Sequence, residues 1–245
     1  MTKGFTPNPV FLSTHWSVVL RAGSNTAEDA RSALSTLCES YWYPIYAFIR
    51  RQGNSHDDAV DLTQGFFAFL IEHNGLNRAM PERGRFRVFL LASVKNFMSN
   101  EWRKSNTLKR GGGMRSLSLD EVHFSRKYER QLSDNCSADL LFEKSWVESL
   151  LARVLENLKQ DYEKAGKSQL YDALSGYLIP SSDKPPQSQI AMQLGLSVPA
   201  VTMSLQRMRK RYGVILRQEI EHTVGSPDDV DDELMKLKAL VVQSP

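Results

Sequence analysis

The stretch Gln187-Ser-Gln-Ile-Ala-Met-Gln-Leu-Gly-Leu-Ser-Val-Pro-Ala-Val-Thr-Met-Ser-Leu-Gln-Arg-Met-Arg-Lys-Arg211 decides how its part of the chain folds. Two helices joined by a tight turn need a small residue where they cross, a residue able to adopt positive φ in the turn, and an apolar anchor in the second helix. Ala191, Gly195 and Val201 meet these needs at spacings of four and six residues. Ile190, Leu194, Leu196, Leu205 and Met208 are the expected buried face around them. Ser197 is the expected N-cap, and Pro199 suits the first helical turn, where its missing N–H is not needed. The pattern is a helix-turn-helix with a basic second helix. With Val201, Leu205 and Met208 turned inward, the 3.6-residue period turns Pro199, Thr202, Met203, Gln206, Arg207 and Lys210 outward. In a major groove, Gln206 and Arg207 would reach base edges, and Lys210 and Arg211 would meet phosphates. A surface helix with solvated charges is the alternative.

Outward from this motif, Gly and Pro punctuation and apolar spacing predict an all-α chain of two small helical domains on a flexible linker. Helices are expected at Trp16–Arg21, Ala27–Arg51, Asp57–Glu72, Arg85–Lys104, Leu140–Glu163, Ser168–Leu178 and Val230–Val241, with Pro44 bending or interrupting the second. The expected divisions are an N-terminal extension over 1–24, a first domain over 25–105, a linker over 106–139, a second domain over 140–224 and an acidic tail helix over 225–245. The linker reading rests on lost periodicity and the run Gly111-Gly-Gly113, which no GK[ST] follows. Trp16, Tyr41, Trp42, Tyr43 and Tyr46 read as core aromatics.

Charge is uneven along the 245 residues, although the net value is only +3. From Arg83 to Arg115 the cations Arg83, Arg85, Arg87, Lys95, Arg103, Lys104, Lys109, Arg110 and Arg115 face a single acid, Glu101. Arg207, Arg209, Lys210, Arg211 and Arg217 form a second island, and Asp228, Asp229, Asp231, Asp232 and Glu233 reverse the sign. For the tail, a solvated capping helix is the simpler reading. The other is that it folds back on a basic surface and weakens DNA binding.

Cys38 and Cys136 suggest neither a disulfide framework nor a zinc site, and His15, His56, His73, His123 and His222 are scattered. Asp57, Asp58 and Asp61 read as an acidic helix N-terminus rather than a cation site. No cofactor and no catalysis are implied. With neither a signal-like start nor a membrane-length apolar run, a cytoplasmic protein without membrane contact is the expectation.

Two patterns in the first domain carry its expected function. In Arg83-Gly-Arg-Phe-Arg-Val-Phe-Leu-Leu-Ala-Ser-Val-Lys-Asn-Phe-Met-Ser-Asn-Glu-Trp-Arg-Lys104, the residues Leu90, Val94, Phe97 and Met98 form an apolar stripe. Asn96, Asn100, Arg103 and Lys104 line another face. Amides and guanidiniums beside aromatics, after the loop Arg83, Arg85, Phe86, Arg87, suit a surface that holds unstacked bases and their backbone. In Asp57 to Ile71, the residues Ala59, Leu62, Phe66 and Phe69 are the expected buried stripe. Asp61, Gln64 and Phe67 fall on a different face, as a protein-binding patch would.

The three patterns in this order resemble the extracytoplasmic-function group of bacterial RNA polymerase sigma factors, over about residues 30 to 105 and 145 to 220. The resemblance implies that Asp61, Leu62, Gln64 and Phe67 dock on the clamp helices of core RNA polymerase. It implies that Phe89, Leu90, Ser93, Val94, Asn96, Asn100 and Arg103 match the motif that opens the promoter. With the loop before it, this region captures single-stranded bases of the minus-ten element. The helix-turn-helix would read the double-stranded minus-thirty-five element through Pro199, Ala200, Thr202, Met203, Gln206, Arg207, Lys210 and Arg211. An anti-sigma factor is a further partner that the family admits. Phe89 stands for the usual Trp, Asn100 for Asp, and Gly65 and Gln189 for common Glu. Ala200 and Thr202 replace a frequent Thr and Lys. Thr14 to Val19, Asp61 to Phe67 and Lys109 to Gly113 look like a divergent subgroup with a C-terminal extension. The alternatives are a dimeric helix-turn-helix regulator acting without polymerase, and a helical adaptor that binds protein alone.

Overall fold

A computed structural model describes residues 19, 22, 27–73, 75–107, 127–129, 136–178, 184–224 and 226–242. Every regular element among them is helical: α1 Ala27–Arg51, α2 His56–Glu72, α3 Phe86–Thr107, α4 Ala138–Lys164, α5 Ser168–Leu174, α6 Gln187–Leu194, α7 Val198–Glu221 and α8 Val230–Val242, with short 3-10 turns between. The expected helix at Trp16–Arg21 falls almost entirely outside the described residues. None of the described helices is long and apolar enough to cross a membrane.

The chain divides into two compact units, one of Met1–Glu148 with His222–Pro245 and one of Ser149–Glu221. Ala138–Glu148, which the sequence reading put in or beside the second domain, packs with the first unit. So does the acidic tail, expected as a division of its own.

In the first unit, α1 continues through Pro44, so of the expected bend or interruption the interruption does not occur. Proline in a helix interior costs about 3 kcal/mol. Opposing that cost, Tyr41, Ile45, Tyr46, Phe48 and Ile49 are each at most 1% exposed, and such side chains contribute roughly 1.5–3 kcal/mol apiece on burial. Tyr43 is buried as well, whereas Trp42 is only half-buried and stacks on Tyr46.

The start of α2 is set by Ser55, whose hydroxyl oxygen accepts from the Asp58 N–H at 3.1 Å while its O–H donates to the Asp58 carboxylate at 2.7 Å. Asp58 is thus a capping partner. The buried stripe of α2 is Ala59, Val60, Thr63, Phe66 and Leu70, and the expected members Leu62 and Phe69 are half-buried instead. Thr63 hid this phase, because it reads as polar. Its hydroxyl donates to the Ala59 carbonyl at 2.6 Å, which lets it sit in the core.

Leu141, Phe142, Trp146 and Val147 on the first part of α4 are buried. Tyr128, placed by sequence in the flexible linker, is also buried, edge-on to Tyr46 and beneath the Arg50 guanidinium at 4.8 Å. Its signal is faint but present, since Phe124 four residues before it and Leu132 four after share its helical spacing within a stretch dominated by Ser and charged residues.

The second unit is built on one cluster: Val154, Leu158, Leu174, Ile190, Ala191, Val201, Leu205, Met208 and Ile215. Tyr171 braces it, its hydroxyl donating to the Leu155 carbonyl at 3.1 Å. The buried Glu219 accepts from the Asn157 amide at 3.0 Å and has Arg153 at 3.9 Å, so its charge has partners within the unit.

Candidate nucleic-acid interface

The turn between α6 and α7 has the geometry its sequence requires. Gly195 sits at φ 63° and ψ 31°, the left-handed region that side chains with a Cβ adopt at a cost. The Leu196 N–H reaches back to the Ala191 carbonyl at 2.9 Å, and the Gly195 N–H to Met192 at 3.3 Å. This pair of bonds closes the end of α6 as a Schellman motif. Ser197 then opens α7, its hydroxyl oxygen accepting from the Ala200 N–H at 3.4 Å. Ala191 and Val201 are buried where the two helices cross, as the spacing requires. Leu196, expected in the buried face, is instead 42% exposed, because the chain leaves the core as the turn closes.

Along α7, Pro199, Met203, Gln206, Arg207, Arg209, Lys210 and Arg211 are exposed, while Ala200 and Thr202 are half-buried. The outer face is therefore basic and dotted with apolar groups. Two of its members are partly engaged within the unit. The Thr202 hydroxyl lies 2.7 Å from the Gln187 side-chain oxygen and so ties the start of α6 to α7. Arg211 pairs with Asp161 on α4, at 2.7 Å through Nε. Asp161, Lys167, Ser204, Arg207 and Arg211 line a cleft of about 270 Å³ beside this face. Asp161 escaped the sequence reading, since nothing local relates it to a residue fifty positions on.

In the first unit, Phe86, Leu90, Val94 and Phe97 form the buried stripe of α3, and Met98 is half-buried at its edge. Asn96, Asn100 and Arg103 are exposed, as is Arg83, while the Lys104 side chain lies outside the described residues. A groove of about 860 Å³ between α2 and α3 brings Asp61, Leu62, Gly65, Phe97, Met98, Trp102 and Arg103 together. The two faces expected to serve different partners thus share one depression. Gln64 and Phe67 are half-buried and do not line it; Asn96 and Asn100 also lie outside it. A Cβ at Gly65 would lie 3.4 Å from the Phe97 ring, an ordinary van der Waals contact, so the packing there does not require glycine. Trp102 is 69% exposed in this groove and was missed by sequence. Its signal was available, because it lies five positions beyond Phe97 and so off the buried stripe.

The expected loop Arg83–Arg87 is where structure and sequence reading part, since Phe86 and Arg87 already belong to α3. Phe86 is 2% exposed, its ring edge-on to Tyr41 at 5.5 Å, and is a core residue rather than a base-facing one. It lies four residues before Leu90 and so continues the buried stripe. Arg87 is 4% exposed. Its guanidinium lies 4.2 Å over the Trp146 ring, 2.8 Å from Glu143 and 2.5 Å from Glu233. Burial alone would lower its pKa, but the two carboxylates and their hydrogen bonds outweigh this and hold it above the ordinary arginine value. Arg85 is half-buried and pairs with the same Glu233 at 2.8 Å. Of the expected cations of this loop, only Arg83 projects fully into solvent.

No group of His, Cys, Asp or Glu among the described residues could hold a metal ion. No family model, curated protein or solved structure matches the chain.

Proposed function

We propose that this chain is a promoter-reading subunit of bacterial RNA polymerase, resembling the extracytoplasmic-function sigma factors, and that the polymerase performs the chemistry. The observation that carries this reading is the helix-turn-helix, with its left-handed Gly195 and its exposed row Met203, Gln206, Arg207 and Lys210. Gln206 and Arg207 would read base edges in a major groove, and phosphate contacts from Lys210 and Arg211, with the exposed Arg209 beside them, would position α7 there. In support from the other unit, exposed Asn96, Asn100 and Arg103 run along α3, and Trp102 beside them offers a stacking face for an unpaired base. Asp61 and Leu62 at the lip of the groove, with Gln64 and Phe67 beyond it, would meet the polymerase clamp helices.

The test is co-purification with core RNA polymerase followed by run-off transcription. The chain is expected to bind core enzyme and to direct initiation from a specific site. Asn96→Ala combined with Arg103→Ala is expected to abolish promoter opening while core binding stays intact. Dimeric binding to a palindromic site in the absence of polymerase would refute the reading.

A further inference from the structure

The tail helix α8 buries one face against the first unit, and one residue of that face is out of character. Val230, Glu233 and Leu237 recur at spacings of three and four and are 1%, 0% and 5% exposed. Helical periodicity calls for an apolar side chain at the middle position. A carboxylate is found there instead, with Arg85 at 2.8 Å and Arg87 at 2.5 Å. A buried ion pair is a poor way to fasten a helix, because desolvating the charges offsets much of their attraction, and apolar residues of similar size often hold as well or better. What a carboxylate supplies that leucine cannot is two acceptor oxygens held to the two guanidiniums, as a phosphate would hold them.

We propose that Glu233 occupies, in cis, an anion site of the first unit whose other ligand is a backbone phosphate of single-stranded nucleic acid, so that α8 and the strand compete for Arg85. This rests on the reading of the first unit as a nucleic-acid surface. The partners of the two arginines are unequal in a way that permits exchange. Arg87 also has Glu143 at 2.8 Å and the Trp146 ring, neither of them on α8, so lifting the helix leaves it a carboxylate partner. Among the described residues, Glu233 is the ion partner of Arg85. Releasing it frees one cation beside the exposed Arg83 and returns one carboxylate to water. The first turn of α8 also carries exposed Asp231 and Asp232, and Asp228 and Asp229 precede it, so the docked tail presents like charge to any approaching phosphate. Departure of the tail removes that repulsion with the same movement.

The experiment measures binding of a fluorescent single-stranded DNA oligonucleotide by the full-length chain, by Glu233→Gln, by a chain ending at Gly225, and by Glu233→Gln with Arg85→Ala. Glu233→Gln keeps the shape of the side chain and removes its charge. It is expected to bind about five-fold more tightly in 0.1 M salt, with a log–log salt slope steeper by about 0.7, the increment for one more phosphate contact on a single strand. The truncated chain should gain at least as much, and Arg85→Ala should cancel the gain. If Glu233→Gln is as helical as the wild type by circular dichroism, the truncated chain loses only the helical signal of α8, and both bind with unchanged affinity and slope, the competition does not exist, while the nucleic-acid reading stands. A gain that survives Arg85→Ala overturns it equally. If no chain binds the oligonucleotide even at low salt, the reading of the first unit falls, and the competition falls with it.

Discussion

Arg87 holds its charge where an arginine has little water to turn to, between Glu143, Glu233 and the face of Trp146. Removing it would leave Glu233, itself 0% exposed, without one of its two guanidiniums. Arg87→Ala is therefore expected to cost about 3–5 kcal/mol, the range for stripping one partner from a buried pair. Urea denaturation followed by tryptophan fluorescence would measure it, and a change below about 1 kcal/mol, the usual worth of an exposed pair, would place the residue on the surface. Cys38 gives a second test at this scale. Burial first, and the neighbouring Glu39 second, push its thiol up to about 11 from an ordinary 9.0. The reactive species is the thiolate, so at pH 8 the folded protein should alkylate Cys38 about 100-fold more slowly than an unperturbed thiol. The rate should climb as pH rises toward 11 and become ordinary in urea. Mass spectrometry of the alkylated peptide reads both. Neither environment was visible from composition, since an arginine among basic neighbours and a lone cysteine look alike whether inside or out.

Elements are where local chemistry spoke most clearly. The bounds of α1 coincide with the expected Ala27–Arg51, and α2, α3, α4 and α8 depart from expectation by one to three residues at an end. Caps and apolar periods act within one or two turns, which is why they are legible. The helix-turn-helix is the strongest case. A Cβ at Gly195 would meet nothing within 4 Å, so the cost of substitution there is backbone strain alone. Gly195→Ala should destabilise the second unit by about 1–2 kcal/mol, the cost of a left-handed residue bearing a Cβ, and Gly195→Asn by less. Thermal melting of the three proteins checks the order. Misreadings at this scale came from side chains that change character through a local hydrogen bond, as Thr63 does, or from a stripe continued past its expected start, as Phe86 does.

At the scale of the whole molecule, the candidate reading surfaces sit on different compact units, Asn96 and Arg103 on the first and Gln206 on the second. Residues that share no partner contribute independently, within about 0.5 kcal/mol. Combining Asn96→Ala with Gln206→Ala should therefore lower open-complex formation by the product of the single effects. Strong non-additivity in a run-off or footprinting assay would mean that the two surfaces act as one.

What the sequence determined by itself was the helical class, the placement of nearly every described helix and the helix-turn-helix with its basic face. Each depends on periodicity, caps and one positive-φ glycine, all of which operate between neighbours in the chain. The tertiary structure alone decided that the acidic tail belongs with the first unit, that Glu233 lies between Arg85 and Arg87, and that Asp161 meets Arg211. These pairings join residues 50 to about 150 positions apart. A buried charge is tolerated only where the fold delivers its partner, and no local pattern of residues records that delivery.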